Sequence, residues 1–125
     1  MTALQDLPIS TITLFVDDLP ASRAFYSDTL DLPVVFEDAD SVVFRLGQQL
    51  LNLLAMSAVP ELIEPVAPGT GGRSLLTITV DDVDGTCEEL GRRGVQLLNG
   101  PIDRPWGVRT ACFADPSGHL WEVAH

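Results

Sequence analysis

From Ile9 to Val16 the apolar residues Ile12, Leu14 and Val16 recur at every second position, with Thr11 and Thr13 between them, the pattern of a strand with one buried face. The alternation stops at Asp17-Asp18-Leu19-Pro20, which predicts a helix start: acidic groups near the positive end, Pro in the first turn. Ala21, Ala24 and Phe25 are the apolar residues of that helix, which should stop before Leu32-Pro33 because Pro disfavours helical geometry in its predecessor. Three short strands follow, Val34 to Glu37, Val42 to Leu46 and Leu50 to Met56, with Gly47-Gln48-Gln49 turning the chain between the last two. Residues 57–73 break every periodicity and hold three Pro and three Gly, a linker pattern.

The pattern then restarts. Ser74 to Val80 alternates like the first strand, and Asp81-Asp82-Val83 repeats the acidic helix start. Val83, Cys87 and Leu90 fall on one helical face, and Arg92-Arg93-Gly94 supplies a basic last turn and a terminal Gly. Strands at Val95 to Leu98, Val108 to Ala114 and His119 to Ala124 complete the second half. Leu14 to Leu19 matches Ile78 to Val83 at an offset of 64, and Leu50 to Asn52 matches Leu120 to Glu122 at an offset of 70. The expectation is an α+β fold in one domain spanning residues 1–125, built from two β-α-β-β-β modules (about 9–56 and 74–125) joined by linker 57–73. A unit that cannot bury its own sheet face must pair with its copy.

Charge is the unusual bulk property. Eighteen Asp and Glu stand against seven basic residues, all Arg, for a net charge of −11 and a pI near 4.2. Such a field repels nucleic acid and anionic membrane and attracts cations; it serves solubility, or a preference for cationic ligands. The 46 % hydrophobic content argues against disorder, and no apolar run reaches membrane-span length. Cys87 and Cys112 are too few for a disulfide framework, and the opening MTALQDLP has neither a basic segment nor an apolar core, so a reduced, cytoplasmic protein is expected.

Parity divides each first strand between two faces. Ile12, Leu14 and Val16, like Leu76, Ile78 and Val80, should pack under the helices; Thr11, Thr13 and Phe15, like Leu75, Thr77 and Thr79, should form a partly solvated ligand surface. Glu122 is read as a lone general base or a hydrogen-bonded structural carboxylate. Trp121, of opposite parity, should lie in the core. Cys87 and Cys112 read as core filler, and Gly69-Thr70-Gly71-Gly72 precedes a strand rather than following one, unlike a phosphate loop. Arg109 shares its parity with Ala111 and Phe113, which would turn it inward. Glu37, Asp38 and Asp40 form an acidic loop, either a solvated turn or the border of a ligand site.

The string from Phe15 through Asp17-Asp18-Leu19-Pro20 to Tyr26, with Leu30-Asp31-Leu32-Pro33, resembles the opening of the vicinal oxygen chelate superfamily. Asp115-Pro116-Ser117-Gly118-His119-Leu120-Trp121-Glu122 resembles its closing signature. That family includes glyoxalases, ring-cleaving dioxygenases, fosfomycin-resistance transferases and metal-free bleomycin-resistance proteins. The resemblance implies paired modules curling into a cup, usually completed by a second chain, so a homodimer is expected. It also implies four metal-ligand positions, here Thr11, Asn52, Leu75 and Glu122. Only Glu122 is a good ligand, whereas a catalytic transition-metal site needs about three strong protein donors. His119 and His125 stand three residues from Glu122, an odd spacing that turns them to the other face of a regular strand. No metal and no cofactor are therefore expected.

The tripeptide Pro105-Trp106-Gly107 also resembles one in bleomycin-resistance-like proteins, which implies an indole at the groove mouth stacking on a planar ring. A Trp packed against a partner subunit is the other reading. The ligand-binding set expected is Thr11, Thr13, Phe15, Asn52, Thr77, Trp106 and Glu122, with no catalytic residue. The function expected is metal-independent binding of a small aromatic or cationic compound, as in antibiotic sequestration. The alternative is a glyoxalase-like lyase or isomerase, or a dioxygenase, that uses Glu122 with a non-standard metal site.

Overall fold

Asp18 and Asp82 start the two longer helices by one device. Each is extended, and its carboxylate accepts a backbone N–H three residues on, from Ala21 (3.0 Å) and Gly85 (3.1 Å). Each thereby satisfies a donor that the first helical turn leaves without a partner. The computed structural model describes residues 4–6, 8–63, 65, 67–69 and 74–125. It divides into two compact units, Met1–Pro68 and Gly69–His125.

The first unit runs β1 (Thr11–Val16), α1 (Leu19–Ala24) with a π-helical turn at Phe25–Thr29, β2 (Val34–Glu37), β3 (Ser41–Leu46), β4 (Gln49–Ala55) and a short α2 (Pro60–Ile63). The second runs β5 (Leu76–Thr79), α3 (Val83–Arg92), β6 (Leu97–Asp103), β7 (Arg109–Ala114) and β8 (Leu120–Ala124). Each unit holds one four-stranded mixed sheet, ordered β1-β4-β3-β2 and β5-β8-β7-β6. The first and last strands of each unit pair in parallel and the rest antiparallel. The architecture is the α+β fold of two β-α-β-β-β modules that the repeat predicts.

The helix-bearing faces are apolar. Leu14, Val16, Val42, Phe44, Leu51 and Leu53 are buried in the first unit; Ala111, Phe113, Trp121 and Val123 are buried in the second with Val83, Cys87 and Leu90 of α3. Trp121 thus lies in the core, where its parity puts it. Burial raises the Cys87 thiol pKa, with Asp84 adding to the rise and Arg109 opposing it, so the thiol stays protonated as core filler.

Several elements depart from the pattern. The buried residues of the first helical segment are Ser22 and Tyr26, not Ala21, Ala24 and Phe25. Tyr26 packs edge-on against Phe25 (centroids 5.2 Å) and reaches Phe44 (5.9 Å). The π-turn and this aromatic packing set which side faces the sheet, overriding the spacing of small residues. The expected linker contains the short helix α2, and Val59 beside it is fully buried; its residues 64, 66 and 70–73 lie outside the described set.

Strand β6 runs to Asp103 through Gly100-Pro101, a pair that reads as a loop. Its pairing with β7 shifts register twice, and as an edge strand it tolerates Pro. Gly100 has φ +86°, and a Cβ there would overlap the Thr110 carbonyl oxygen and lie 2.7 Å from Ala111 Cα.

Arg109 turns to the helix side of its sheet. Its guanidinium forks onto both Asp84 oxygens (2.8 and 2.9 Å) and reaches Asp103 (3.0 Å), tying α3 to β7 and to the end of β6. The Arg109 hydrogen bonds hold the Asp84 carboxyl below the usual carboxylate range.

Two outcomes follow from these contacts. Gly100→Ala should destabilise the protein by about 2 kcal/mol or more, from left-handed strain plus overlap with β7, read as a drop in the urea midpoint. Asp84→Asn should flatten the acid limb of stability. A carboxyl depressed in the folded state contributes above its unfolded pKa, and the contribution is lost as pH falls through the lower folded value. Urea midpoints recorded between about pH 5 and pH 2 should therefore fall less steeply in the variant.

Candidate functional site

Parallel pairing of first and last strands decides which polar residues meet. In the first unit Thr11 sits across from Leu50, Thr13 from Asn52 and Phe15 from Leu54, and Asn52 also faces Val43 on β3. These residues share the face away from the helix-side core. Thr11 and Thr13 are exposed and Phe15 is half-buried. Asn52 Oδ1 is buried and accepts no hydrogen bond from any described residue. A buried carbonyl oxygen left without a donor costs on the order of 1–3 kcal/mol.

The second unit repeats the register. Thr77 lies across from Glu122, at the offsets that carry Thr13 and Asn52 onto them. Here the pair is bonded: the Thr77 hydroxyl donates to Glu122 Oε1 at 3.0 Å. Across the next strand Cys112 faces Glu122, and beyond it Asn99 faces Cys112. Burial raises the Cys112 thiol pKa, the Glu122 charge adds to the rise and Arg104 opposes it. A thiol held protonated in this way is no nucleophile.

Sequence reasoning did not single out Arg104 or Asn99. Arg104 opens the β6–β7 turn: its backbone N–H donates to the Val108 carbonyl (2.7 Å), and its carbonyl accepts from the Gly107 N–H (3.0 Å). Its side chain lies along the face of Glu122 and Cys112, donating to Thr110 Oγ1 (2.9 Å) and reaching Asn99 Oδ1 (3.4 Å). The signal available in the sequence was an Arg two residues before Trp106, but the length of β6 needed to place it was obscured by Gly100-Pro101. Trp106 itself is 72 % exposed in the same turn.

Other candidates have structural occupations. The buried Asp115 carboxylate accepts from the Ser117 and His119 backbone N–H groups (2.9 and 2.8 Å) and contacts His119 Nδ1 at 2.8 Å, which fixes the turn into β8. His119 is thus committed to that turn. The His125 backbone bonds both ways with Arg109, which extends the pairing of β8 with β7. Glu37 is gripped by Arg23 at 2.8 and 3.0 Å. Asp38 caps its turn by accepting from the Asp40 and Ser41 N–H groups and the Ser41 hydroxyl. These bonds make the acidic loop a structural turn.

The four positions implied as metal ligands do not fit a metal. Leu75 stands just before β5 and has no donor atom. Thr11 is a weak donor, Asn52 offers one neutral oxygen, and Glu122 already accepts from Thr77. Among the described residues, no three His, Cys, Asp or Glu side chains are gathered as metal ligands.

Known proteins match this chain along nearly all of its length. YraH, an uncharacterized protein of Bacillus subtilis (strain 168), is 33 % identical over 119 residues, which cover 90 % of this chain and 93 % of YraH. The crystal structure of lactoylglutathione lyase from Agrobacterium tumefaciens aligns with a TM-score of 0.77 at 26 % identity, over 94 % of this chain and 92 % of that one. A glyoxalase-related enzyme from Fulvimarina pelagi aligns with a TM-score of 0.83 at 28 % identity, over 94 % and 86 %. The model of the Glyoxalase/Bleomycin resistance protein/Dioxygenase superfamily matches residues 9–123, a span that takes in both repeats and both end motifs. The chain belongs to that superfamily.

Proposed function

We propose that this protein binds a small aromatic or cationic molecule without a metal, on the sheet face that carries Thr77, Cys112 and Glu122, and acts by sequestering it. The observation that carries this reading is the state of the paired polar positions. Glu122 is held by a threonine hydroxyl, its counterpart Asn52 is a neutral amide, and Leu75 has no donor. Such groups orient a ligand by hydrogen bonds and charge, and they supply no set of strong metal donors. Thr11, Thr13 and Phe15 offer a similar half-polar surface on the first sheet, and the Asn52 oxygen, without a donor among the described residues, suits a donor from a ligand. Trp106 supplies an exposed indole within a tight turn for stacking or cation–π contact. The net charge of −11 favours a cationic ligand and disfavours nucleic acid.

A second reading has its own support. The similarity to lactoylglutathione lyase and to a glyoxalase-related enzyme favours a lyase or isomerase, with Glu122 as its base. Among the described residues no helix is long and apolar enough to cross a membrane; with two free cysteines, that fits a cytoplasmic site of action. We also propose a homodimer. The edge strands β2 and β6 expose Phe36 (57 %) and Leu98 (58 %), and unpaired edges with apolar side chains invite pairing with a second copy.

Two measurements check these proposals. Titration with bleomycin in excess chelator should quench tryptophan emission saturably, and Trp106→Ala should remove most of the signal and weaken binding by about 1 kcal/mol or more. Binding that needs added divalent metal, or catalytic turnover of a hemithioacetal abolished in Glu122→Ala, would favour the enzyme instead. Light scattering at micromolar concentration should give the mass of a dimer; a monomer would remove the oligomer proposal. If Trp106→Ala dissociates a dimer yet binds as tightly as wild type, the indole belongs to the subunit interface.

A further inference from the structure

Guanidinium groups in so acidic a chain are expected to find carboxylates, and most of those described do. Arg23 grips Glu37, Arg92 and Arg93 share Glu89, and Arg109 bridges Asp84 and Asp103. Arg45 lies exposed on β3. Arg104 differs from all of these. It is half-buried, and its side-chain partners among the described residues are neutral oxygens: the Thr110 hydroxyl, itself buried, and the Asn99 side-chain carbonyl at the long limit of a hydrogen bond. Among the described residues it pairs with no carboxylate. Two neutral acceptors orient the planar fork without neutralising its charge, and a guanidinium has five N–H donors to place.

The register locates this charge relative to the opposite one. Asn99, Cys112, Glu122 and Thr77 stand in one cross-strand row on β6, β7, β8 and β5. Arg104 reaches Asn99 at one end of that row, and Glu122 lies two strands away, about 10 Å at the usual inter-strand spacing. Cys112 stands between them, and both charges act on its thiol in opposite senses. The face therefore presents a cation and an anion across a short apolar gap, with the Trp106 turn adjoining the cationic end.

We infer that Arg104 and Glu122 are the two poles of a site for a small zwitterion, with the ligand's carboxylate on the Arg104 fork and its ammonium or amidinium on Glu122. A planar carboxylate matches the guanidinium fork, whereas a purely cationic ligand would leave that charge opposed. The inference rests on the reading of this face as the ligand surface, and it narrows the ligand class from cationic to zwitterionic.

Calorimetric titration with three probes tests it: 4-(aminomethyl)benzoate as the zwitterion, benzoate as the anion and benzylamine as the cation. The zwitterion should bind tightest. Arg104→Gln should weaken the zwitterion and benzoate about tenfold or more while leaving benzylamine unchanged or stronger. Glu122→Gln should weaken the zwitterion and benzylamine and spare benzoate. Arg104→Lys keeps the charge without the fork and should fall between wild type and Arg104→Gln. It carries the test if the Gln variant loses its near-ultraviolet dichroism and so its fold. Equal affinity of wild type and both Arg104 variants for benzoate and the zwitterion would overturn the inference. If bleomycin still quenches Trp106 in that case, only the zwitterion assignment falls. If neither bleomycin nor any of the three probes binds, the binding reading falls with it.

Discussion

In each unit the first strand lies parallel to the last, and this pairing places residues distant in sequence side by side on one face. Thr77 and Glu122 are 45 residues apart and hydrogen-bonded; Thr13 and Asn52 hold the same register in the first unit. A parallel pair needs a crossover between its strands, here a helix and two further strands, and the apolar side of the sheet must be covered by that helix. Covering one side commits every other residue of each strand to the core. The alternate residues are then free to carry polar groups, so the site follows from the parity of the strands.

Charge is allocated by the same division. On the helix side, Arg109 joins α3 to β7 through Asp84, and on the first unit Arg23 of α1 reaches Glu37 at the end of β2. These exposed ion pairs add little stability individually, but each fixes the placement of a helix on its sheet. On the other face of the second sheet, Glu122 and Arg104 are held by neutral hydroxyl and amide groups. The two faces thus give arginine different partners, carboxylates on one and neutral oxygens on the other.

Much of this was legible in the sequence because it rests on local pattern. The helix starts after Asp17-Asp18 and Asp81-Asp82 follow from the acidic pairs that end the strand pattern, and the apolar stripe of Val83, Cys87 and Leu90 and the core position of Trp121 follow from period and parity. The offsets of 64 and 70 aligned Thr13 with Thr77 and Asn52 with Glu122, the register pairs of the fold. What stayed hidden depends on contacts that pattern does not encode. The burial of Ser22 and Tyr26 follows a π-turn and an aromatic cluster, and Val59 is buried inside a stretch that reads as linker. Arg104 was missed because the bulged strand β6 passes through a Gly-Pro pair that punctuates the sequence like a loop.

On the function proposed above, the face carrying Glu122 recognises a ligand by charge and hydrogen bonds, without a metal. Of the four positions that the family resemblance implies as metal ligands, only Glu122 is a strong donor, and it already accepts from Thr77; Asn52 is a neutral amide, Thr11 a hydroxyl and Leu75 aliphatic, a set too weak to hold a transition metal. Elemental analysis of protein purified without chelators tests that claim most directly. The account predicts nickel, zinc, iron and manganese all well below one equivalent per chain. About one equivalent of any of them, lost on Glu122→Ala, would contradict it.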